Sequence, residues 1–160
     1  MPTLRLQISP LQNPERYAAL GAALTRITAQ VLHKRPEVTV VMIDDLPAAR
    51  YLVGGRAAEQ PMACLEISVT AGTNTADEKR QFIQQAHAEL HRQLSVGATL
   101  LHEASYVIVR ELPATDWGYG GQIQAHRQAQ RALNLAESLA EGHTPAIAAD
   151  AQARADLKPS

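Results

Sequence analysis

The chain has 160 residues, 46% of them hydrophobic and 19% charged, with a net charge of -1. That balance suits one globular domain, or two small ones, with a real core. It offers no electrostatic footprint for nucleic acid or an anionic membrane, and at 4% aromatic residues it has few platforms on which bases would stack.

Leu4, Leu6 and Ile8 alternate with Arg5 and Gln7, which predicts a half-buried strand over Thr3–Ser9. Pro2 precedes it. Removal of Met1, usual before a small residue, would leave a proline secondary amine at the chain start. Unlike the amide of an internal proline, that amine is basic. Its ordinary α-amino pKa of about 8 falls on desolvation or beside a cation, so it can serve as a general base near neutrality.

Asn13-Pro14-Glu15 reads as a helix start, with Asn13 as cap. Tyr17, Leu20, Leu24, Ile27 and Val31 form its apolar face, and Gly21 on that face is expected to let the sheet approach. Basic residues 33–35 and Pro36 end it. The apolar run Val38–Ile43 predicts a buried strand. Asp44-Asp45 closes it as a solvated pair. A loop then runs to Gly54-Gly55, and residues 56–60 connect onward.

The order then repeats. The strand pattern Leu4, Leu6, Ile8 recurs as Leu65, Ile67, Val69, and Asn13 recurs as Asn74. Thr75-Ala76-Asp77-Glu78 is a capping box, opening a helix to about Leu94 with Phe82, Ile83, Ala86 and Leu90 inside. Gly97 interrupts, and Ser105–Val109 is a strand. Leu46–Gly55 and Leu112–Gly121 share the pattern Leu-Pro-Ala-x-x-aromatic-x-x-Gly-Gly. Two β-α-β units, 1–60 and 61–121, therefore predict an α/β (α+β) fold. Its four-stranded mixed sheet carries two helices on one face. The other face, taken as apolar from Val38–Ile43, calls for self-association. Residues 122–160 read as a helix ending near Gly142 and an alanine-rich tail, either mobile or laid on a neighbouring subunit.

Other groups read as structural. His87 and His91 stand at i, i+4 without a third ligand at motif spacing, so no metal site is expected. Cys64 alternates with apolar neighbours and reads as a small buried side chain. As the single cysteine it allows no internal disulfide. With no apolar signal core and no membrane-length run, a cytoplasmic protein is expected, without membrane or nucleic-acid partners. The glycine pairs serve turns of positive φ, not a dinucleotide loop.

Pro2, the tandem β-α-β units and the segment Pro113-Ala114-Thr115-Asp116-Trp117-Gly118-Tyr119-Gly120-Gly121 together resemble the tautomerase superfamily, whose type member is 4-oxalocrotonate tautomerase. The resemblance spans about residues 2–121, and the tandem length is that of the fused members. These include malonate semialdehyde decarboxylases, 3-chloroacrylic acid dehalogenases and macrophage migration inhibitory factor. It implies a homotrimer, no cofactor, and a small carboxylate substrate. It implies Pro2 as the catalytic proton carrier, with Tyr51 and Trp117 as aromatics that keep it dry. Ala63 takes the place of Pro2 in the second unit. Arginines of the type member fall here on Gln12 and Thr39, or on Thr73 and Tyr106. The dehalogenase arginine pair is absent from Val69–Thr73, and their helical histidine from the region of Thr28. Carboxylate binding is therefore assigned to Arg5, Arg50 and Arg110. The expected activity is tautomerisation of a small 2-oxo or enol acid by Pro2. The alternatives are a cofactor-free hydratase, dehalogenase or decarboxylase of a 3-carbon acid using protonated Pro2, or a non-catalytic trimeric binding protein.

Overall fold

The computed structural model describes residues 1–9 and 14–140. Asn13, Gln12, the helix end near Gly142 and the tail 143–160 lie outside the described residues. The chain divides into two compact units, one ending at Pro113 and one beginning at Ala114.

In the first unit, β1 (Thr3–Ile8), α1 (Glu15–Leu32) and β2 (Val40–Asp45) form one β-α-β unit. A short hairpin follows, β3 (Leu52–Val53) and β4 (Arg56–Ala57). Then β5 (Ala63–Thr70), α2 (Ala76–Leu94) and β6 (Tyr106–Leu112) form the second. The sheet order is β2-β1-β5-β6. The two outer pairs are parallel and the middle pair antiparallel. Leu4 faces Ile67, Leu6 faces Leu65 and Ile8 faces Ala63 across that middle pair. The sequence repeat is thus a two-fold relation about the centre of the sheet.

These residues are at most 1% exposed and pack against Leu20, Leu24, Ile27 and Val31 of α1 and Phe82, Ala86 and Leu90 of α2. Each fully buried leucine or phenylalanine contributes about 2 kcal/mol of transfer free energy. The capping box forms as read: Thr75 Oγ1 accepts from Glu78 N at 3.2 Å, and Glu78 Oε2 accepts from Thr75 N at 2.9 Å. The end of α1 is tied to this turn. Asn74 Nδ2 donates to Leu32 O at 3.1 Å and Lys34 Nζ to Thr73 Oγ1 at 2.9 Å. Burial of Lys34 holds its pKa below the ordinary lysine value, although Glu78 pulls it upward.

Four expectations are corrected. Val38–Ile43 is not a buried strand. Pro36–Val38 is a 3-10 turn, and β2 is an edge strand with Val40 38% and Met42 40% exposed. Only its Val41–Ile43 side meets the helices. Gly21 does not admit the sheet, since a Cβ there would meet nothing within 4 Å. Ile83, 39% exposed, lies off the inner face held by Phe82 and Ala86. The Asp44-Asp45 pair is not simply solvated: Asp45 accepts from the Tyr17 hydroxyl, and Asp44 lines a depression described below.

The second unit contains a hairpin, β7 (Gly118–Tyr119) and β8 (Gln122–Ile123), and α3 (Gln124–Ala140). Gly54-Gly55 and Gly120-Gly121 have φ of 58, 79, 57 and 72°. Both pairs are therefore the two central residues of tight hairpin turns whose mirror-image geometry favours glycine.

Candidate functional site

The sheet face away from the helices carries three cross-strand rows. In the order β2, β1, β5, β6 they are Val40–Thr3–Ser68–Arg110, Met42–Arg5–Glu66–Ile108 and Asp44–Gln7–Cys64–Tyr106. This face was expected to be apolar. It is polar along its two central strands, because inward-facing Leu4, Leu6, Leu65 and Ile67 leave Thr3, Arg5, Gln7, Cys64, Glu66 and Ser68 to point the other way. Its edge strands mix apolar Val40, Met42 and Ile108 with charged Asp44 and Arg110. Cys64, expected in the core, is for the same reason partly exposed here. A depression of about 300 Å³ on this face is lined by Arg5, Gln7, Asp44, Cys64 and Glu66.

Charge on this face is organised around Glu66. Arg5 stands directly opposite it in the β1–β5 register, and Arg110 Nε reaches its Oε1 at 2.8 Å. Two guanidinium groups against one carboxylate leave an excess of positive charge in the Thr3 and Arg5 rows, while Asp44 places a second carboxylate in the far row. Glu66, central to this arrangement, escaped the sequence reading. Its signal was its register with Arg5, one position after Leu65 as Arg5 is one after Leu4.

Pro2 is buried at the head of β1, where its carbonyl accepts from Val40 N at 3.2 Å. Arg110 shares the row of Thr3, so Arg5 and Arg110 lie in the half of the sheet that Pro2 heads. Arg50 and Tyr51 do not. They follow β2, whose exit is marked by Leu46 N donating to Ile8 O at 2.8 Å. From Thr3 to Ile8 the strand spans about 16 Å. Within one chain, Tyr51 and Arg50 are thus at the opposite end from Pro2, because the first loop leaves a parallel partner of β1 at its far end.

Tyr51 has its own environment. Burial first, and the neighbouring Cys64 second, push its hydroxyl up to about 12. Burial first, and Glu66 second, also raise the Cys64 thiol, which disfavours the nucleophilic thiolate. In an alkaline titration of the four tyrosines, Tyr51 should ionise near 12. Since its ordinary value is 10.0, its contribution to stability is whole below that pH and is lost as pH rises toward 12. Tyr51→Phe should abolish that alkaline loss in urea unfolding. An unchanged loss would contradict the assignment.

Trp117 belongs to the second unit. Gly118 beside it admits no side chain, since a Cβ would stand 2.1 Å from Gln122 O. Gln124 N donates to Trp117 O at 3.0 Å. Arg127 lies over the Tyr119 ring, 3.8 Å from its centroid, and its Nη2 donates to Tyr119 O at 2.9 Å. Arg127 and Gln124 were not singled out from the sequence, where they fall in an unremarkable run after the glycine pair.

His87 and His91 are both partly exposed. Among the described residues no group of three or more His, Cys, Asp or Glu side chains stands close enough to hold a metal ion. Among them, too, no helix is long and apolar enough to cross a membrane.

No family model and no curated protein sequence matches this chain. Solved structures do. A fused 4-OT wild-type asymmetric trimer matches with TM-score 0.68 and 24% identity, over 78% of this chain and 98% of that one. A member of the cis-3-chloroacrylic acid dehalogenase family matches with TM-score 0.66 and 20% identity, over 87% of this chain and 99% of that one. Macrophage migration inhibitory factor of Toxoplasma gondii matches with TM-score 0.60 and 16% identity, over 76% and 98%. At these identities the likeness is one of fold.

Proposed function

We propose that this chain, which has the tautomerase-superfamily fold, is a tautomerase of a small 2-oxo or enol carboxylic acid that uses the amine of Pro2 after removal of Met1. The observation that carries this reading is the placement of Pro2, buried at the head of β1, in the half of the sheet where Arg5 and Arg110 outnumber Glu66. In the proposed reaction the neutral amine removes a proton from the carbon beside the carbonyl. The enolate that forms is stabilised by guanidinium charge and by backbone N–H groups, an interaction stronger in the transition state than in the ground state. The resulting prolinium then returns the proton to a different carbon or oxygen. The balance is one proton moved, with no net oxidation and no co-reactant.

We further propose a homotrimer, as in the fused 4-OT structure. Exposed Val40, Met42 and Tyr106 on the two edge strands support it. In such an assembly Tyr51 and Arg50 would serve the site of a neighbouring copy. Trp117 would help to exclude water. The same arginines would hold a 3-carbon acid for hydration, dehalogenation or decarboxylation, with Pro2 protonated. That second reading is separated from the first by the pKa of the Pro2 amine.

Arg110→Gln tests the site. It should raise KM for a 2-oxo acid about tenfold, the cost of one charge-assisted hydrogen bond. Loss of an exposed pair costs at most about 1 kcal/mol of stability, so the fold should be retained. An unchanged KM in a folded variant would remove Arg110 from the site.

A further inference from the structure

Among the described residues of the second unit, three hydrogen-bond donors are buried without a partner. They are Nε1 of Trp117, Nε2 of Gln124 and Nε of Arg127. The backbone sets them side by side. Trp117 and Gln124 extend the β7–β8 ladder as a hydrogen-bonded pair. Arg127 follows three residues later on the same face of α3 as Gln124. The guanidinium is held in one orientation by the Tyr119 ring and carbonyl. Gly120 leaves it room, since a Cβ there would lie 3.0 Å from Arg127 Nη2.

A buried donor left unpaired costs about 1–3 kcal/mol, and more when charged, so native structures hold few of them. Here three lie within one hairpin and the first turn of a helix. Indole and guanidinium have no acceptor capacity, so the two cannot satisfy each other. The group that completes the cluster is therefore an acceptor. The charge of Arg127 selects an anionic one, as does the positive end of α3, whose first turn carries no acidic residue. Gln124 is 3% exposed, while Trp117, Tyr119 and Arg127 are each partly exposed. The donors thus lie just under the surface.

We infer that this hairpin and helix start form a binding site for a small carboxylate, held by Arg127, Gln124 and Trp117. The role given to Trp117 is polar, through its N–H, in addition to its apolar ring. The inference does not require a catalytic Pro2.

Trp117 is the only tryptophan, so its indole N–H gives a single resonance. The full chain is titrated with pyruvate and, as a neutral control, with pyruvamide. Pyruvate should shift that resonance saturably and pyruvamide should not. Arg127→Gln should weaken pyruvate binding about tenfold or more. Gln124→Met should also weaken it while leaving the thermal midpoint unchanged or higher, because it deletes an unpaired donor. Pro2→Ala should leave the pyruvate response intact, which separates this site from proton transfer. Absence of a saturable shift in the wild-type chain would overturn the inference, as would pyruvate binding as tight as wild type in both site variants. A shift that follows protein concentration instead of pyruvate would overturn it too, assigning the carboxylate to a second copy of the chain.

Discussion

Pro2→Ala should lower kcat/KM for an enolised 2-oxo acid about 10²–10⁴-fold, the range for losing a positioned acid-base group. The fold should survive. Alanine at this place keeps the carbonyl that accepts from Val40 N, and Ala63 already occupies the matching place in the second β-α-β repeat. A primary amine would replace the secondary one, so some residual turnover is expected. The effect should fall on kcat, because in the proposed reaction Pro2 acts on the moving proton while arginine holds the carboxylate. A Pro2→Ala protein with full turnover would remove Pro2 from the proton-transfer step.

Phe82→Ala should be the most damaging single substitution to stability, at about 4 kcal/mol. Phe82 is 0% exposed, is the only phenylalanine, and packs in the one cluster that joins both helices to the sheet. Few neighbours can collapse into the space, because the facing strand residues are fixed by the ladder. Urea unfolding measures the change. A loss below about 2 kcal/mol would fall short of the usual range for truncating a buried phenylalanine. It would mean that the helices are held chiefly by their linked ends, through Asn74, Lys34 and His33.

The inner half of the molecule was legible from its residues. Period-2 apolar positions placed β1 and β5, the capping box placed α2, and the doubled Leu-Pro-Ala segment revealed the repeat. What was not legible was which strands meet at the centre of the mixed sheet. The repeat shows that Ala63 matches Pro2. It does not show that β1 pairs with β5, nor that Tyr51 lies at the far end of the sheet from Pro2. Val38–Ile43 misled for a similar reason. A continuous apolar run is the mark of a strand covered on both sides, but β2 sits at an edge of this chain. Its outer residues Val40 and Met42 stay exposed. Arg5 and Arg110 could be read as charges on strands, yet the acid between them emerges only from the register. Arg127 carried no periodic or motif signal, and only its contacts with Tyr119 set it apart.

The most direct test of the central claim is a ¹⁵N NMR titration of the Pro2 nitrogen, with mass measurement, on protein made in its native host. Catalysis by isomerisation predicts that Met1 is gone and that a secondary amine titrates well below an ordinary α-amino group. A titrating amine left at or above that ordinary value would make Pro2 an acid and favour hydration or decarboxylation. A retained Met1, with no titrating amine at residue 2, would contradict the account.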